Sequence, residues 1–191
     1  MAERIIALAK LHKATNIVLL GDVKDSIIRP DSVEMRIIQA FFKKLSDYTV
    51  FLVQGNHDAG LGDMPHLNRA KELRVGNVGL IHGNSLPSED LMRCDYIIAG
   101  HDHPAAMIGS SIEKVWLVLD IKPRVASKDY PARNAKARLV LMPAFNDLIT
   151  GTDVGRGRIL NPLVRRGLFD LKKAKLYTIK GELARMKLNG G

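Results

Sequence analysis

Apolar residues recur along this chain in two rhythms, and the change from one to the other organises the sequence. Ile5, Leu8, Ala9 and His12 fall on helical spacing, so the first dozen residues predict a helix. Asn16-Ile-Val-Leu-Leu20 follows as a short apolar strand that runs into Gly21-Asp22. Asp31, with Glu34 three positions on, is an N-terminal capping arrangement for a helix through Met35, Ile38, Phe42 and Leu45 that ends near Asp47. The β-branched and aromatic run from Tyr48 to Gln54 predicts a buried strand ending at Gly55-Asn56-His57-Asp58. A polar loop from Asp58 to His66 leads to a weakly helical stretch near Asn68–Leu73. Val75 to Ile81 then predicts a strand running into His82, and Pro87 starts a short helix through Leu91. Asp95 to Ala99 predicts a further strand, ending at Gly100.

After His103 the helical rhythm disappears. Val115–Leu119, Arg138–Met142, Lys175–Ile179 and Glu182–Leu188 predict strands, the last pair joined at Lys180-Gly181. The chain thus alternates strand and helix at first and is mostly β later. No internal repeat, low-complexity segment or linker divides it, so one α/β domain over 1–191 is expected, with two packed sheets and helices outside them.

Composition narrows the class. The chain has 191 residues, 46% of them apolar, which is room for a substantial core in one domain. Its apolar runs are only strand length, so no segment reads as a membrane span. The stretch Met1–Lys10 carries an early acid and a very short apolar run, unlike a signal peptide. Cys94 is the lone cysteine, which excludes an internal disulfide and a cysteine-based zinc site. A reduced, cytoplasmic setting follows, with Cys94 packing in a core beside Met92 and Tyr96. The formal charge of +9 leans toward polyanionic partners such as nucleic acid. The bias is local: between Arg156 and Lys187 the basic residues face only Asp170 and Glu182 as acids, and the mostly-β part from about 138 onward carries them.

The candidate chemistry lies where strands end. Gly21-Asp22-Val23-Lys24-Asp25, Gly55-Asn56-His57-Asp58, Ile81-His82-Gly83-Asn84 and Gly100-His101-Asp102-His103 each deliver Asp, Asn or His behind an apolar strand. In open α/β sheets ligands bind at the carboxyl ends of strands. One such histidine is usually a hydrogen-bonded structural residue; four such segments together are hard to explain that way. Imidazole, carboxylate and amide oxygen suit borderline divalent metals such as manganese, iron, zinc or nickel. Two ions roughly 3.5–4 Å apart can activate a water and clamp both oxygens of an in-line phosphoryl displacement. Ser85, Ser110 and Ser111 sit in no Gly-x-Ser-x-Gly elbow, and no phosphate-cradling Gly-x-x-x-x-Gly-Lys-Ser/Thr loop exists.

These segments, in this order, resemble the calcineurin-like metallophosphoesterase superfamily. Its pattern is Asp-x-His, Gly-Asp-x-x-Asp, Gly-Asn-His-Asp/Glu, a lone His, and Gly-His-x-His. More narrowly, with Met142-Pro-Ala-Phe-Asn146 and Gly151-Thr-Asp-Val154, the chain resembles the ICC-like phosphoesterase branch, distantly related to double-strand-break repair nucleases. The resemblance implies a four-layer αββα sandwich of two mixed sheets. It implies that Asp22 bridges two metals, that Asn56, His82 and His101 complete the shell of one, and that His103 binds the other. His57 would protonate the leaving oxygen, and Asp25 would orient His57. Gly55, Gly83 and Gly100 would let the backbone approach the ions, while Asp58 and Asp102 would be solvated or lie behind the ligands. Manganese is the expected metal, with iron, zinc or nickel as alternatives.

One block departs from the pattern. No Asp-x-His precedes Gly21, so the family's first central strand is not in this sequence, and a start placed too late is the expected reason. The ion served by Asp22, Asn56, His82 and His101 is expected to be retained, and the one left with Asp22 and His103 to be weak or lost. The implied function is hydrolysis of a phosphomonoester or phosphodiester, with nucleic acid favoured by the basic stretch, by a metal-activated water. The alternative is an inactive or partner-completed scaffold acting as a nucleic-acid-binding module. His66, beside Pro65 in a polar loop, reads as a surface residue.

Overall fold

Pairs of parallel strands carry the architecture, because parallel neighbours bring their carboxyl ends to the same edge of a sheet. The computed structural model describes residues 1–24, 27–62, 64, 67–156 and 159–184. It divides into two compact units, Met1–Lys71 and Glu72–Gly191.

The first unit contains α1 (Ala2–Leu11), β1 (Asn16–Leu19), α2 (Ser32–Lys44), β2 (Thr49–Val53) and β3 (Leu67–Ala70). Its three strands form an all-parallel sheet in the order β1-β2-β3. Helix α1 forms as its spacing predicts, but the buried face is rotated from the expected one. Ala2 and Ala9 are buried, with Ile5 and Ile6 packed beside Ile17, Leu45 and Val50, whereas Leu8 and His12 are exposed. Helix α2 starts where Asp31 caps it, its carboxylate accepting from the amides of Val33 and Glu34 at 2.8 Å. That helix buries Ile38 against Leu52 and Leu61. Each fully buried leucine of this kind contributes roughly 1.5–3 kcal/mol of transfer free energy.

The second unit contains β4 (Glu72–Val75), β5 (Val78–Ile81), α3 (Glu89–Met92), β6 (Tyr96–Ala99), β7 (Pro104–Ile108), β8 (Ser111–Asp120), α4 (Pro123–Ala126), β9 (Arg138–Leu141), β10 (Thr152–Asp153), α5 (Pro162–Arg165), β11 (Lys175–Thr178) and β12 (Leu183–Ala184). These strands form one mixed sheet, ordered β10-β7-β8-β9-β6-β5-β4, with β11 pairing β8 and β12 pairing β11. Strands β5, β6 and β9 run parallel at its centre, with Ile81 opposite Ala99 and Ala99 opposite Leu141. Ile97, Leu117, Leu139, Leu141 and Phe169 fill its core.

Three expectations need correction. The stretch near Asn68–Leu73 is not helical but supplies the ends of two strands, β3 and β4. Parallel pairing of Leu67–Ala70 with Val50–Val53 overrides a weak local preference. Val75–Ile81 is not one strand either: Gly76, at φ +58°, and Asn77 turn the chain so that β4 and β5 form a hairpin. Strand β7, which opens on Pro104, was not expected at all. The end of the Glu182–Leu188 strand lies outside the described residues. Among the described residues no helix is long and apolar enough to cross a membrane.

Candidate metal centre

Each unit sets two polar turns side by side at the carboxyl ends of parallel neighbours. In the first unit β1 and β2 are paired in register from Asn16 opposite Thr49 to Leu19 opposite Leu52. Gly21-Asp22 and Gly55–Asp58 therefore leave the same edge. Gly21 and Asp22 both have left-handed backbones, at φ +85° and +53°. For a non-glycine residue this costs about 1–2 kcal/mol. Asp58 supplies what offsets it. Its carboxylate, only 1% exposed, accepts from the amides of Asp22, Val23 and Gly55, each at 2.8 Å. A hydrogen bond to a charged group contributes roughly 1.5–3 kcal/mol, so two of them outweigh the strain at Asp22.

The link is reciprocal. The Asp22 carboxylate accepts from the amide of His57 at 3.1 Å. Asp22, Asn56 and His57 are all half-buried, and Asp22 and His57 are tied together through backbone and side chain. Asp25 and His66 lie outside the described residues.

In the second unit β5 and β6 bring His82 and His101 together. The carbonyl of His82 accepts from the amides of Gly100 and His101 at 2.7 and 2.8 Å, which fixes the two backbones. Nε2 of His82 and Nδ1 of His101 then stand 3.1 Å apart, with the rings edge-on at 67°. As a hydrogen bond, one ring donates and the other accepts. With both lone pairs turned inward, that spacing also matches two neighbouring nitrogen ligands of one ion, which sit about 3.0–3.4 Å apart for bonds of about 2.1 Å. Two ring nitrogens so placed are ligands of the kind a borderline divalent ion takes, which is the chemistry a metal would need here.

His103 sits in the same loop at φ +46°, just before β7. Its carbonyl accepts from the Thr152 amide at 2.9 Å, and β10 pairs with β7. A Cβ on Gly151, whose φ is +97°, would lie 2.1 Å from that carbonyl oxygen, so only glycine fits beneath His103. Gly83 is likewise a packing requirement. At φ +112°, it sits where a Cβ would meet Ala99, Asn161 and His101 at 3.0–3.4 Å.

The aspartates that follow the histidines are not solvated. Asp102 is 7% exposed, and its Oδ1 accepts from the amides of Leu160 and Asn161 at 2.6 and 3.0 Å. Asn161 is fully buried and caps α5, its side chain accepting from the Leu163 amide at 3.0 Å. Among the described residues, Oδ2 of Asp102 and Nδ2 of Asn161 have no hydrogen-bond partner. Sequence reasoning missed Asn161; its one local signal was the Asn-Pro pair of a helix start. Cys94 is buried, and burial pushes its thiol above the ordinary range, the opposite of an activated nucleophile.

This fold is shared with a nuclease. The crystal structure of Pseudomonas putida nuclease MPE is similar to the chain, with a TM-score of 0.57 and 19% sequence identity, covering 95% of this chain and 75% of that one. No protein-family model and no curated protein matches the sequence. The mixed α/β fold with two sheets, expected from the sequence, is the one this likeness supports.

Proposed function

We propose that this chain is a metal-dependent phosphoesterase of the calcineurin-like type, acting on phosphodiesters of nucleic acid. One observation carries the reading: the paired strand ends, which tie Asp22 to His57 and bring the ring nitrogens of His82 and His101 to 3.1 Å. In this proposal Asp22, Asn56, His82 and His101 hold one ion, manganese for preference, and His103 with Asp22 serves a second, weaker position. A bound divalent ion lowers the pKa of water and draws charge from the phosphoryl oxygens. The protein's own part is to aim and to move a proton. The His57 imidazole gives its proton to the leaving oxygen, and its backbone is anchored on the Asp22 carboxylate at 3.1 Å. Asp25 orients that imidazole. The nucleic-acid substrate is supported by the net charge of +9 and by the fold shared with a nuclease. A cytoplasmic setting is supported by the lone, buried Cys94.

The test is hydrolysis of bis-p-nitrophenyl phosphate and of DNA in Mn2+. Turnover should appear with the metal, fall about 10²–10⁴-fold in His57→Ala, and disappear in Asp22→Asn. Salt-sensitive nucleic-acid binding with no turnover in any divalent metal would overturn the enzyme reading in favour of a binding module.

A further inference from the structure

The Asp58 carboxylate is more heavily used than a turn residue needs to be. Its three amide donors come from two segments, with Gly55 local and Asp22 and Val23 lying 36 and 35 residues earlier. Oδ2 takes the amides of Asp22 and Gly55, and Oδ1 takes that of Val23. Three of about four lone-pair directions are thus occupied by protein. Asp58 in turn donates its own amide to the Gly55 carbonyl at 3.3 Å. The Asp22 carboxylate returns the contact by accepting from His57, the neighbour of Asp58. Two dipeptide turns therefore hold each other through two opposed side-chain-to-backbone links, a capping box thrown across two parallel strands.

We propose that Asp58 is the positioning residue of this site: its buried carboxylate locks Asp22 in the left-handed conformation that aims the Asp22 carboxylate, and seats His57 beside it. The residue acts through Asp22 and His57, not on substrate or ion. Asparagine cannot replace it. An amide keeps one acceptor, so its NH2 would face either the Val23 amide or the pair from Asp22 and Gly55. The consequence for metal affinity rests on the proposed function; the consequence for the backbone does not.

Both are measurable on the full chain. In the metal-free wild type, the amides of Asp22, Val23 and Gly55 should exchange with deuterium slowly although they lie in turns. Exchange at the rate of the exposed Asn84 amide would overturn the proposal without any variant being needed. In Asp58→Asn those three amides should exchange at least ~10-fold faster while Leu52 in β2 is unchanged. The Mn2+ dissociation constant, read by electron paramagnetic resonance with Mn2+ as the probe, should rise about 10–100-fold, as it does when groups behind metal ligands are removed. Faster exchange with unchanged Mn2+ affinity would overturn the positioning role and leave the metal site standing. Protected amides in a wild type that binds no Mn2+ would overturn the proposed function, and the positioning role with it.

Discussion

The two histidine turns carry the same dipeptide, His57-Asp58 in the first unit and His101-Asp102 in the second, and use its aspartate differently. In both, the aspartate points inward and accepts amides from a distant stretch. Asp58 reaches the amides of Val23 and of Asp22, which bears the proposed site's carboxylate, and both its oxygens are occupied. Asp102 reaches Leu160 and Asn161, 58 and 59 residues later, with one oxygen, and the other oxygen has no partner among the described residues. Asp58 therefore sets the conformation of a donor, while Asp102 fastens a loop to a segment that supplies none. A His-Asp pair is not one device, and its role is decided by which amides its carboxylate meets.

Substitutions can break this contrast. The largest effect is expected at Gly151, where alanine must clear the His103 carbonyl from 2.1 Å and adopt φ +97°. Gly151→Ala should cost at least about 3 kcal/mol in urea unfolding, combining backbone strain with overpacking. Asp102→Ala removes the acceptor of two amides, that of the buried Asn161 and that of the exposed Leu160, and should cost about 1–3 kcal/mol, with Mn2+ affinity changed far less than in Asp58→Asn. If it instead weakened Mn2+ as much as Asp58→Asn does, the two aspartates would be doing the same work.

Tyr130 provides a control in the second unit, away from the turns. Its hydroxyl donates to the Pro87 carbonyl at 3.0 Å, and burial pushes its phenol above the ordinary range. The neutral phenol is favoured in the fold, so its contribution is complete below the unfolded value of about 10 and is lost as pH rises through the folded one. Tyr130→Phe should cost about 1 kcal/mol at neutral pH, flatten the alkaline loss of stability, and leave Mn2+ binding unchanged. The smallest effect is expected in Asp102→Asn. There the amide oxygen can keep both amides while NH2 takes the position that has no donor, so the cost should stay below about 1 kcal/mol. The same exchange at Asp58 has no such escape.

The strand ends were legible because apolar β-branched runs stop at Gly followed by Asp, Asn or His, and because parallel neighbours must align those ends. Asp22, Asn56, His57, His82, His101 and His103 could all be located in this way. What could not be read was long-range. The distant partners of Asp58 and Asp102 lie 35–59 residues away, and Asn161 carries no chemical label beyond a helix start. Strand β3, with Asn68 and Arg69, and strand β4, with Glu72 and Arg74, lack an apolar rhythm, and only pairing with β2 and β5 makes them strands. The buried face of α1 was rotated from its expected position because Ala2 and Ala9, not Leu8, meet the core.

The central proposal is that Asp22 and Asn56 share one ion with His82 and His101. Anomalous diffraction at the manganese edge, from crystals of the full chain soaked in Mn2+, tests it most directly. The expected result is a strong peak bonded to Asp22 and to the ring nitrogens of both histidines, and no such peak in Asp22→Asn. A soaked wild-type crystal with no peak at those side chains, or with a peak that survives Asp22→Asn undiminished, would contradict it.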